Sequence, residues 1–364
     1  MTDLDELSTE ELKQMLQECE TKISLADKSQ HSTKILMNSL YGAMGTPYFR
    51  MYDIHMAEGI TLSGQSTVSQ SYEMFNNYLN DKLGTKDDYV IASDTDSAYI
   101  NLSPFVKTFI PESLSHSQKV DAVVKICDEM FSAMLDKTFS RFAEETNAWS
   151  NAIDMKREAV ASACFVAKKN YVMYVYDNEG TRYATPKQKI TGLEAIKSST
   201  PEYFREKLKE GYSFVFGKTE ADVQKFVSDV HAEYMSLPVD RIAGTTSVSE
   251  LVKYMDGDGY TSGTPSHVRG ALAYNRLLKE HNLTEKYSLI KPGDKVKIVP
   301  LKKQNPIREN FFCYLDNFPV EIMKPQFIDR EGNYQKYFVA PLMRVLDVVK
   351  WNHEYVASLD DLFG

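Results

Sequence analysis

The sequence contains little cysteine and tryptophan and no long hydrophobic run. Only four of its 364 residues are cysteines, at positions 19, 127, 164 and 313, and none belongs to a CxxC pair. This argues against a zinc site and against a disulfide framework. No stretch approaches the ~20 apolar residues of a membrane span, and the acidic N-terminus lacks the basic, then apolar pattern of a signal peptide. We therefore expect a soluble, cytoplasmic protein with reduced cysteines and no membrane partner.

The chain also lacks an excess of positive charge. Its 42 lysines and arginines are outnumbered by 51 acidic residues, which gives a formal net charge of −9. This balance argues against a protein coated with nucleic acid over its whole surface, although local basic patches decide where a partner binds. One patch lies between Lys291 and Arg308, where six basic residues accompany one acid, Asp294. The sequence is compatible with two interpretations of this patch, contact with phosphates and a solvated face of a sheet.

Length and composition predict two or three domains with their own cores, since 43% of the residues are hydrophobic. Residues 8–11, Ser-Thr-Glu-Glu, have the form of a capping box, and apolar residues follow at helical spacing. The polar stretch 28–31 is either a turn or a solvated part of this helix. Gly42 and Gly45 are predicted to end the helix.

Helices and antiparallel strands alternate after residue 50. The sequence predicts a helix over 52–83 that is closed by Gly84, a strand–turn–strand over 89–102 and a helix over about 119–147.

Residues 158–192 read as strands that turn at 178–180, Asn-Glu-Gly. The Ser-Ser-Thr-Pro sequence at 198–201 signals a helix start, and the chain is predicted to be largely helical from there to about 280. This change places a domain boundary near residue 193, in a chain of the α+β class.

Two carboxylates lie at the tip of the predicted hairpin, in the run Asp94-Thr95-Asp96. Asp and Thr are ordinary turn residues, so the run by itself is also compatible with a plain hairpin turn. Apolar strands on both sides would fix the two acids on a rigid, largely buried platform, where unpaired carboxylates are costly unless a cation or a hydrogen-bond network compensates them. Hard oxygen ligands of this kind suit magnesium.

A polar face is predicted on the helix before Gly42. Lys34, Asn38 and Tyr41 follow one another at i, i+4 and i+7 and therefore line one side of the helix. Lysine can neutralise a triphosphate, and the glycine after Tyr41 lets a base pair approach the backbone closely. The alternative is an amphipathic helix whose polar face is simply solvated.

A third element precedes a predicted strand. In Lys168-Lys169-Asn170-Tyr171 two cations lie beside an aromatic ring, a combination that suits a duplex backbone and minor groove. A basic edge strand that discourages aggregation explains these residues equally well.

These motifs occur in an order that resembles a known family. The runs KILMNSLYGAMG at 34–45, SDTDSAYI at 93–100, KKNY at 168–171 and ASLDDLFG at 357–364 resemble the C-terminal part of the family B DNA polymerases, in particular the replicative enzymes of T-even-like bacteriophages. The resemblance covers nearly the whole chain.

The resemblance implies an α+β fold in which a palm of antiparallel sheet and helices is followed by a mainly helical thumb. Residues 1–46 would be the C-terminal helix of the fingers and 47–192 the palm. Residues 193–356 would be the thumb, and 357–364 a tail that binds a sliding clamp.

Site residues follow from the resemblance by position. Asp96 matches the metal ligand of the family's DTD motif, and Asp94 the neighbour that tunes metal coordination. The remaining matches are Lys34, Asn38 and Tyr41 for the deoxynucleoside triphosphate, Lys168, Lys169 and Tyr171 for primer–template DNA, and Leu359, Leu362 and Phe363 for the clamp. Asp177 matches an acid on the strand after KKNY whose role the residues do not reveal.

The chain also departs from the family pattern. Ser93 replaces the glycine usual before DTD, and Lys156 stands where an acid is usual before Arg157-Glu158. The second departure weakens a metal-binding role for Glu158, which could instead pair with Arg157 or with another neighbour. The first palm strand, with the other catalytic aspartate, has no counterpart in the sequence.

The family reaction is attack of a primer 3′-hydroxyl on the α-phosphate of a deoxynucleoside triphosphate, assisted by two Mg²⁺ ions. Because this chain offers carboxylates from one strand only, we expect the C-terminal subunit of a split replicative polymerase. It would be inactive without an N-terminal polymerase and exonuclease chain, and it would act in the cytoplasm of an infected bacterial host.

Two other functions stay open. The first is a non-catalytic DNA- and clamp-binding protein on a polymerase scaffold. The second is a nucleotidyl cyclase or nuclease with a carboxylate hairpin, which explains the DTD run but neither the helix of Lys34 nor the tail.

Overall fold

The computed structural model describes residues 7–94, 96–257 and 259–354. The chain folds into two packing units, the first ending at Arg157 and the second beginning at Glu158. The family-derived domain boundaries after residues 46, 192 and 356 remain predictions. In the described ranges, no helix has both the length and the apolar character that crossing a bilayer requires.

The first unit begins with helix α1, Thr9–Met44. The predicted capping box is confirmed, because Oγ of Ser8 accepts from the N–H of Glu11 while the Glu11 carboxylate accepts from Ser8. The helix is continuous through 28–31, so the alternative of a turn there is wrong. It also continues through Gly42, and Gly45 is the C-cap.

Helix α2, Ile54–Leu83, starts two residues later than predicted. Oδ1 of Asp53 caps it by accepting from the N–H groups of His55 and Met56. Gly84 closes it in the left-handed region with φ 66°, as predicted. Apart from Ala57, the buried residues of α2 lie in its C-terminal half.

The rest of the first unit comprises β1 (Val90–Asp94), β2 (Ser97–Ile100), α3 (Ser103–Phe109), α4 (His116–Lys125), a π-helical segment (Ile126–Phe131) and α5 (Ser132–Glu145). The predicted hairpin is confirmed as the antiparallel pair β1–β2. The single helix predicted over 119–147 is wrong in two respects. It begins earlier, and the π-helical segment separates α4 from α5.

The second unit begins with an antiparallel sheet in the order β3-β4-β5, formed by Ala159–Ala167, Asn170–Asn178 and Thr181–Thr191. The predicted turn is confirmed, because Glu179 and Gly180 connect β4 to β5 and both have positive φ, 49° and 83°.

The helices and strands that follow are α6 (Glu202–Ser213), α7 (Glu220–Ser236), α8 (Val239–Ile242), β6 (Gly244–Val248), β7 (Met255–Asp256), β8 (Gly259–Tyr260), α9 (Ser266–Glu280), β9 (Asp294–Pro300), β10 (Phe311–Tyr314), α10 (Arg330–Tyr334) and α11 (Ala340–Leu346). The span 198–280, predicted to be largely helical, also contains three strands. β7 pairs with β8, and β6 pairs with β9 in a sheet ordered β10-β9-β6. The fold is α+β with antiparallel sheets, as the sequence predicts.

The basic run 291–308 contains the strand β9, Asp294–Pro300. Lys297 on β9 is half-buried, and its Nζ lies 3.2 Å from Oδ1 of Asp240 and donates to the carbonyl of Asp316 at 2.6 Å. The other five basic residues of the run are exposed.

Candidate active site

The two predicted carboxylates lie at the turn of the β1–β2 hairpin. Asp94 ends β1 and is paired with Ser97, the first residue of β2, while Asp96 lies in the turn between them. The carbonyl of Asp94 accepts hydrogen bonds from the N–H of Asp96 at 2.5 Å and from Oγ of Ser97 at 3.2 Å. Thr95 lies outside the described residues. The turn therefore brings both acids to one end of the hairpin.

The carboxylates are more accessible than expected. Asp96 is exposed and Asp94 is half-buried, so the prediction that both acids lie on a largely buried platform is wrong for the acids themselves. The turn extends beyond the part of the hairpin that packs on the core, which is where Val90 and Ala98 contact the cluster around Phe131. Water can solvate an exposed carboxylate, so burial here creates no need for a cation.

The donor set fits an open cation site. Within the described ranges, no group of three or more His, Cys, Asp or Glu side chains could enclose a metal ion. Mg²⁺, however, is commonly held by one or two carboxylates together with waters and substrate phosphates. Asp96, with Asp94 beside it, supplies oxygen ligands of that type, and further ligands would have to come from outside the described residues.

The predicted polar face lies on α1. Lys34, Asn38 and Tyr41 fall within one uninterrupted helix, so their Cα atoms lie within about 60° of one another around the axis. All three are exposed. The structure therefore confirms that these side chains share one side of a helix, while their contact with a nucleotide stays a prediction.

No packing contact with the described residues requires a glycine after Tyr41. The described residues place no atom within 4 Å of a Cβ built at Gly42, and Gly42 is not among the glycines with positive φ. The space beside this position is open, as close approach of a ligand to the backbone would require.

In the KKNY run of the second unit, Lys168 and Lys169 form the turn between β3 and β4, and Asn170 and Tyr171 begin β4. Lys168 and Lys169 are exposed, and Lys169 adopts a left-handed φ of 62°. Tyr171 is only 7% exposed and packs its ring 5.1 Å from that of Phe165. The lysines are thus available to a phosphate backbone, whereas most of the Tyr171 side chain belongs to the sheet.

Gly192 is required by the KKNY turn. Its φ is +72°, and an added Cβ would overlap both the side-chain amide of Asn170 and the carbonyl oxygen of Lys169. The chain just after β5 can approach Asn170 and the Lys169 carbonyl only because residue 192 has no side chain.

The two uncertain acids have structural contacts in the second unit. Glu158 forms an ion pair with Lys189, in which Oε1 of Glu158 lies 3.3 Å from Nζ of Lys189. Asp177 is buried, and its Oδ1 accepts from the N–H of Gly180 at 3.2 Å, which stabilises the β4–β5 turn. Leu359, Leu362 and Phe363, the predicted clamp-binding residues, lie outside the described residues.

Sequence reasoning missed two contacts in the first unit. Arg157 pairs with Asp128 in the π-helical segment, and the side chain of Asn76 on α2 binds the backbone at the start of β1. Asn76 and Asn80 are one turn apart in a long helix, where asparagine is a poor helix former. Two asparagines at this spacing could have indicated side chains that bind a neighbouring element.

Comparison with known proteins gives consistent matches. The sequence model of the family described as DNA polymerase family B matches residues 8–310. The chain is 31% identical to the DNA-directed DNA polymerase of Enterobacteria phage T4 over 379 residues, which cover 100% of this chain and 42% of that protein.

The same identity, 31% over 375 residues, relates 99% of the chain to 41% of the DNA-directed DNA polymerase of Escherichia phage RB69. A DNA polymerase beta of African swine fever virus is 28% identical over 188 residues, which cover 50% of this chain and 15% of that protein. The chain thus spans less than half of the length of the two phage relatives.

Proposed function

The chain belongs to DNA polymerase family B, and from that membership we propose that it forms the C-terminal part of a template-directed replicative DNA polymerase. In this proposal it supplies one carboxylate strand, a triphosphate-binding helix face and a DNA-binding turn. The remaining parts of the active site, and the exonuclease, come from an N-terminal polymerase chain.

The β1–β2 hairpin is the observation that carries the proposal. It presents an accessible carboxylate at Asp96 and a second at Asp94, on a hairpin anchored in a core of large apolar side chains. Two Mg²⁺ ions, when bound, would neutralise negative charge on the attacking and leaving oxygens of the displacement.

The other named residues bind and orient the substrates. The cationic Nζ of Lys34 would pair with the triphosphate, with Asn38 and Tyr41 on the same side of α1 and the nascent base pair near the open backbone at Gly42. Lys168 and Lys169 would contact the phosphates of primer and template. Neither helix α1 nor the KKNY turn takes part in the chemistry, and both hold reacting groups in place.

A complete site needs further carboxylate ligands. The described residues contain no metal-enclosing group of acids, and two-metal phosphoryl transfer uses ligands that surround both ions. We therefore assign the missing ligands to the N-terminal chain.

The surface of the first unit supports this assignment. α1 lies wholly within the described residues, and none of its 36 residues is buried. Leu16, Ile23, Leu36 and Met37 are 60–71% exposed on it. Apolar exposure continues into the first half of α2, as at Met56, which is 55% exposed. So many exposed apolar side chains are unusual for a monomer, and they support a protein partner for this unit.

Primer extension tests the proposal. The chain would be assayed with Mg²⁺, a primed template and all four deoxynucleoside triphosphates, alone and after co-expression with an N-terminal polymerase chain. We expect extension only from the mixture, and we expect Asp96→Asn to reduce it by about a hundredfold or more, since metal ligation is worth several kcal/mol in the transition state.

Asp294→Asn, which changes an acid at the start of β9 in the other unit, is the matched control and should leave extension unchanged. Extension by the chain alone would contradict the need for a partner. A stable mixture that binds DNA and a sliding clamp without extending primers would instead identify a non-catalytic binding protein.

A further inference from the structure

The side-chain amide of Asn76 joins α2 to the first residues of the carboxylate hairpin. Its Oδ1 accepts from the backbone N–H of Tyr89 at 2.7 Å and from that of Val90 at 3.3 Å. Its Nδ2 donates to Oδ1 of Asp88 at 2.9 Å. Asn76 is only 9% exposed, so this amide provides the acceptor for two N–H groups at the protein interior.

Asp88 fixes the orientation of that amide. Oδ2 of Asp88 accepts from the hydroxyl of Tyr72 at 2.7 Å, and Oδ1 accepts from Asn76. The hydrogen bonds from Tyr72 and then Asn76 hold the pKa of the Asp88 carboxyl below its ordinary value. Because an ionised carboxylate only accepts hydrogen bonds, the NH₂ group of Asn76 must face it and the oxygen must face β1.

The contacted residues form the base of the hairpin. Val90 is paired with Ile100, and the carbonyl of Tyr89 accepts from the N–H of Asn101 at 2.7 Å. Val90 is 5% exposed and packs in the core cluster with Phe75, one residue before Asn76 on α2. The course of β1 toward Asp94 is therefore set by α2 through one polar contact and one apolar contact.

We propose that Asn76 is a positioning residue for Asp94 and Asp96, which it aligns by fixing the backbone N–H groups at the start of β1, with Asp88 as its orienting partner. The proposal rests on the proposed function of the hairpin. It predicts that exchanging the two side chains preserves function. An aspartate at position 76 could accept from β1, while an asparagine at position 88 could donate to that aspartate and accept from Tyr72.

Three variants test this role, in the complete polymerase mixture. Asn76→Asp removes the donor to Asp88 and sets two carboxylates against each other. Asn76→Asp combined with Asp88→Asn restores every donor–acceptor pair. Asn80→Asp is the matched control, since Asn80 lies one turn further along α2 and binds Asp87, a residue that precedes β1. Oδ1 of Asn80 accepts from the N–H of Asp87 at 2.8 Å, and its Nδ2 donates to the Asp87 carbonyl at 2.9 Å.

The readouts are the extension rate per folded protein, the Mg²⁺ concentration at half-maximal rate, and the melting temperature. We expect Asn76→Asp to slow extension about tenfold or more and to raise the Mg²⁺ requirement, as misplaced reacting groups do. The double variant should recover both, and Asn80→Asp should alter only the melting temperature. Equal effects of Asn76→Asp and Asn80→Asp on rate and Mg²⁺ requirement would overturn the proposal.

Amide hydrogen exchange separates this proposal from the proposed function. If the wild-type mixture does not extend primers, the proposed function fails, and exchange along 90–94 then decides the positioning role. Faster exchange through this strand in Asn76→Asp, reversed in the double variant and absent in Asn80→Asp, would support it. Unchanged exchange would overturn it.

Discussion

The guanidinium of Arg157 contacts the carboxylate of Asp128 through two parallel hydrogen bonds, Nε to Oδ1 at 2.8 Å and Nη2 to Oδ2 at 3.1 Å. The Arg157 side chain is 8% exposed, while that of Asp128 is 48% exposed. Asp128 lies in the π-helical segment between α4 and α5. The pair therefore ties the last residue of the first unit to the segment between α4 and α5.

Arg157→Lys should destabilise the first unit. Lysine cannot form the two-pronged contact, and its charge would stay largely buried beside a weaker partner. We expect the free energy of unfolding in urea to fall by about 1–3 kcal/mol. Lys156→Ala is the matched control, because Lys156 is 77% exposed in its pair with Asp154 and exposed pairs contribute little. Similar losses for both variants would refute the importance of the two-pronged contact.

Lys34→Ala should weaken nucleotide binding. Loss of a charge-assisted contact to the triphosphate is expected to raise KM for deoxynucleoside triphosphates about tenfold or more in the complete mixture. Lys28→Ala removes another exposed lysine from the same helix, about 120° away around the axis. It should leave KM unchanged, and a rise as large as that of Lys34→Ala would point to a general charge effect.

Gly192→Ala should displace the KKNY turn and weaken DNA binding. The new methyl group would overlap Asn170 and the Lys169 carbonyl at a residue with positive φ. Gly180→Ala is the control, because Gly180 also has positive φ, +83°, but the described residues leave the space around its Cβ open. Both variants should lose about 1 kcal/mol or more of stability through backbone strain. Only Gly192→Ala should lower the affinity for primed DNA in a binding titration.

Glu321 should contribute to the acid sensitivity of the second unit. The hydrogen bond from Lys286, followed by one from its own backbone and one from the Tyr287 hydroxyl, lowers the pKa of Glu321 from 4.5 to about 2. A carboxyl with a lowered pKa stabilises the folded state above its unfolded pKa, and this contribution is lost as the pH falls toward 2.

Urea unfolding from about pH 5 down to about pH 2 measures that contribution. Glu321→Gln should lose less stability than the wild type over this interval, and added salt should reduce the difference because the pair is exposed. Glu285→Gln changes an exposed carboxyl of the neighbouring loop and serves as the control. Identical pH profiles for wild type and Glu321→Gln would contradict the prediction.

Local sequence signals predicted the elements whose structure depends on nearby residues. The Ser8 capping box, the left-handed Gly84 and the turn at Glu179 and Gly180 each form from contacts within a few positions. The β1–β2 hairpin and the shared side of Lys34, Asn38 and Tyr41 were predictable for the same reason.

Contacts between residues far apart in the chain were not predictable. Arg157 and Asp128 are 29 positions apart, and no pattern identifies the carboxylate that an arginine will choose. The exposure of Asp96 was mistaken because the length of a hairpin beyond its core depends on how β1 and β2 pack. The π-helical segment also lacks a marker, since its sequence, ICDEMF, contains neither proline nor glycine.

Because no residue of α1 is buried, the stability of this helix is linked to binding of a partner chain. Helices in proteins draw most of their stability from packing an apolar face, and propensity alone leaves them marginal. If a partner covers α1, part of the binding free energy is therefore consumed in holding the helix in its bound conformation. The affinity for the N-terminal chain would then depend on the helix propensity of α1 residues that do not contact that chain. A serine-to-alanine change on the uncovered side of α1 would tighten the complex without adding a contact.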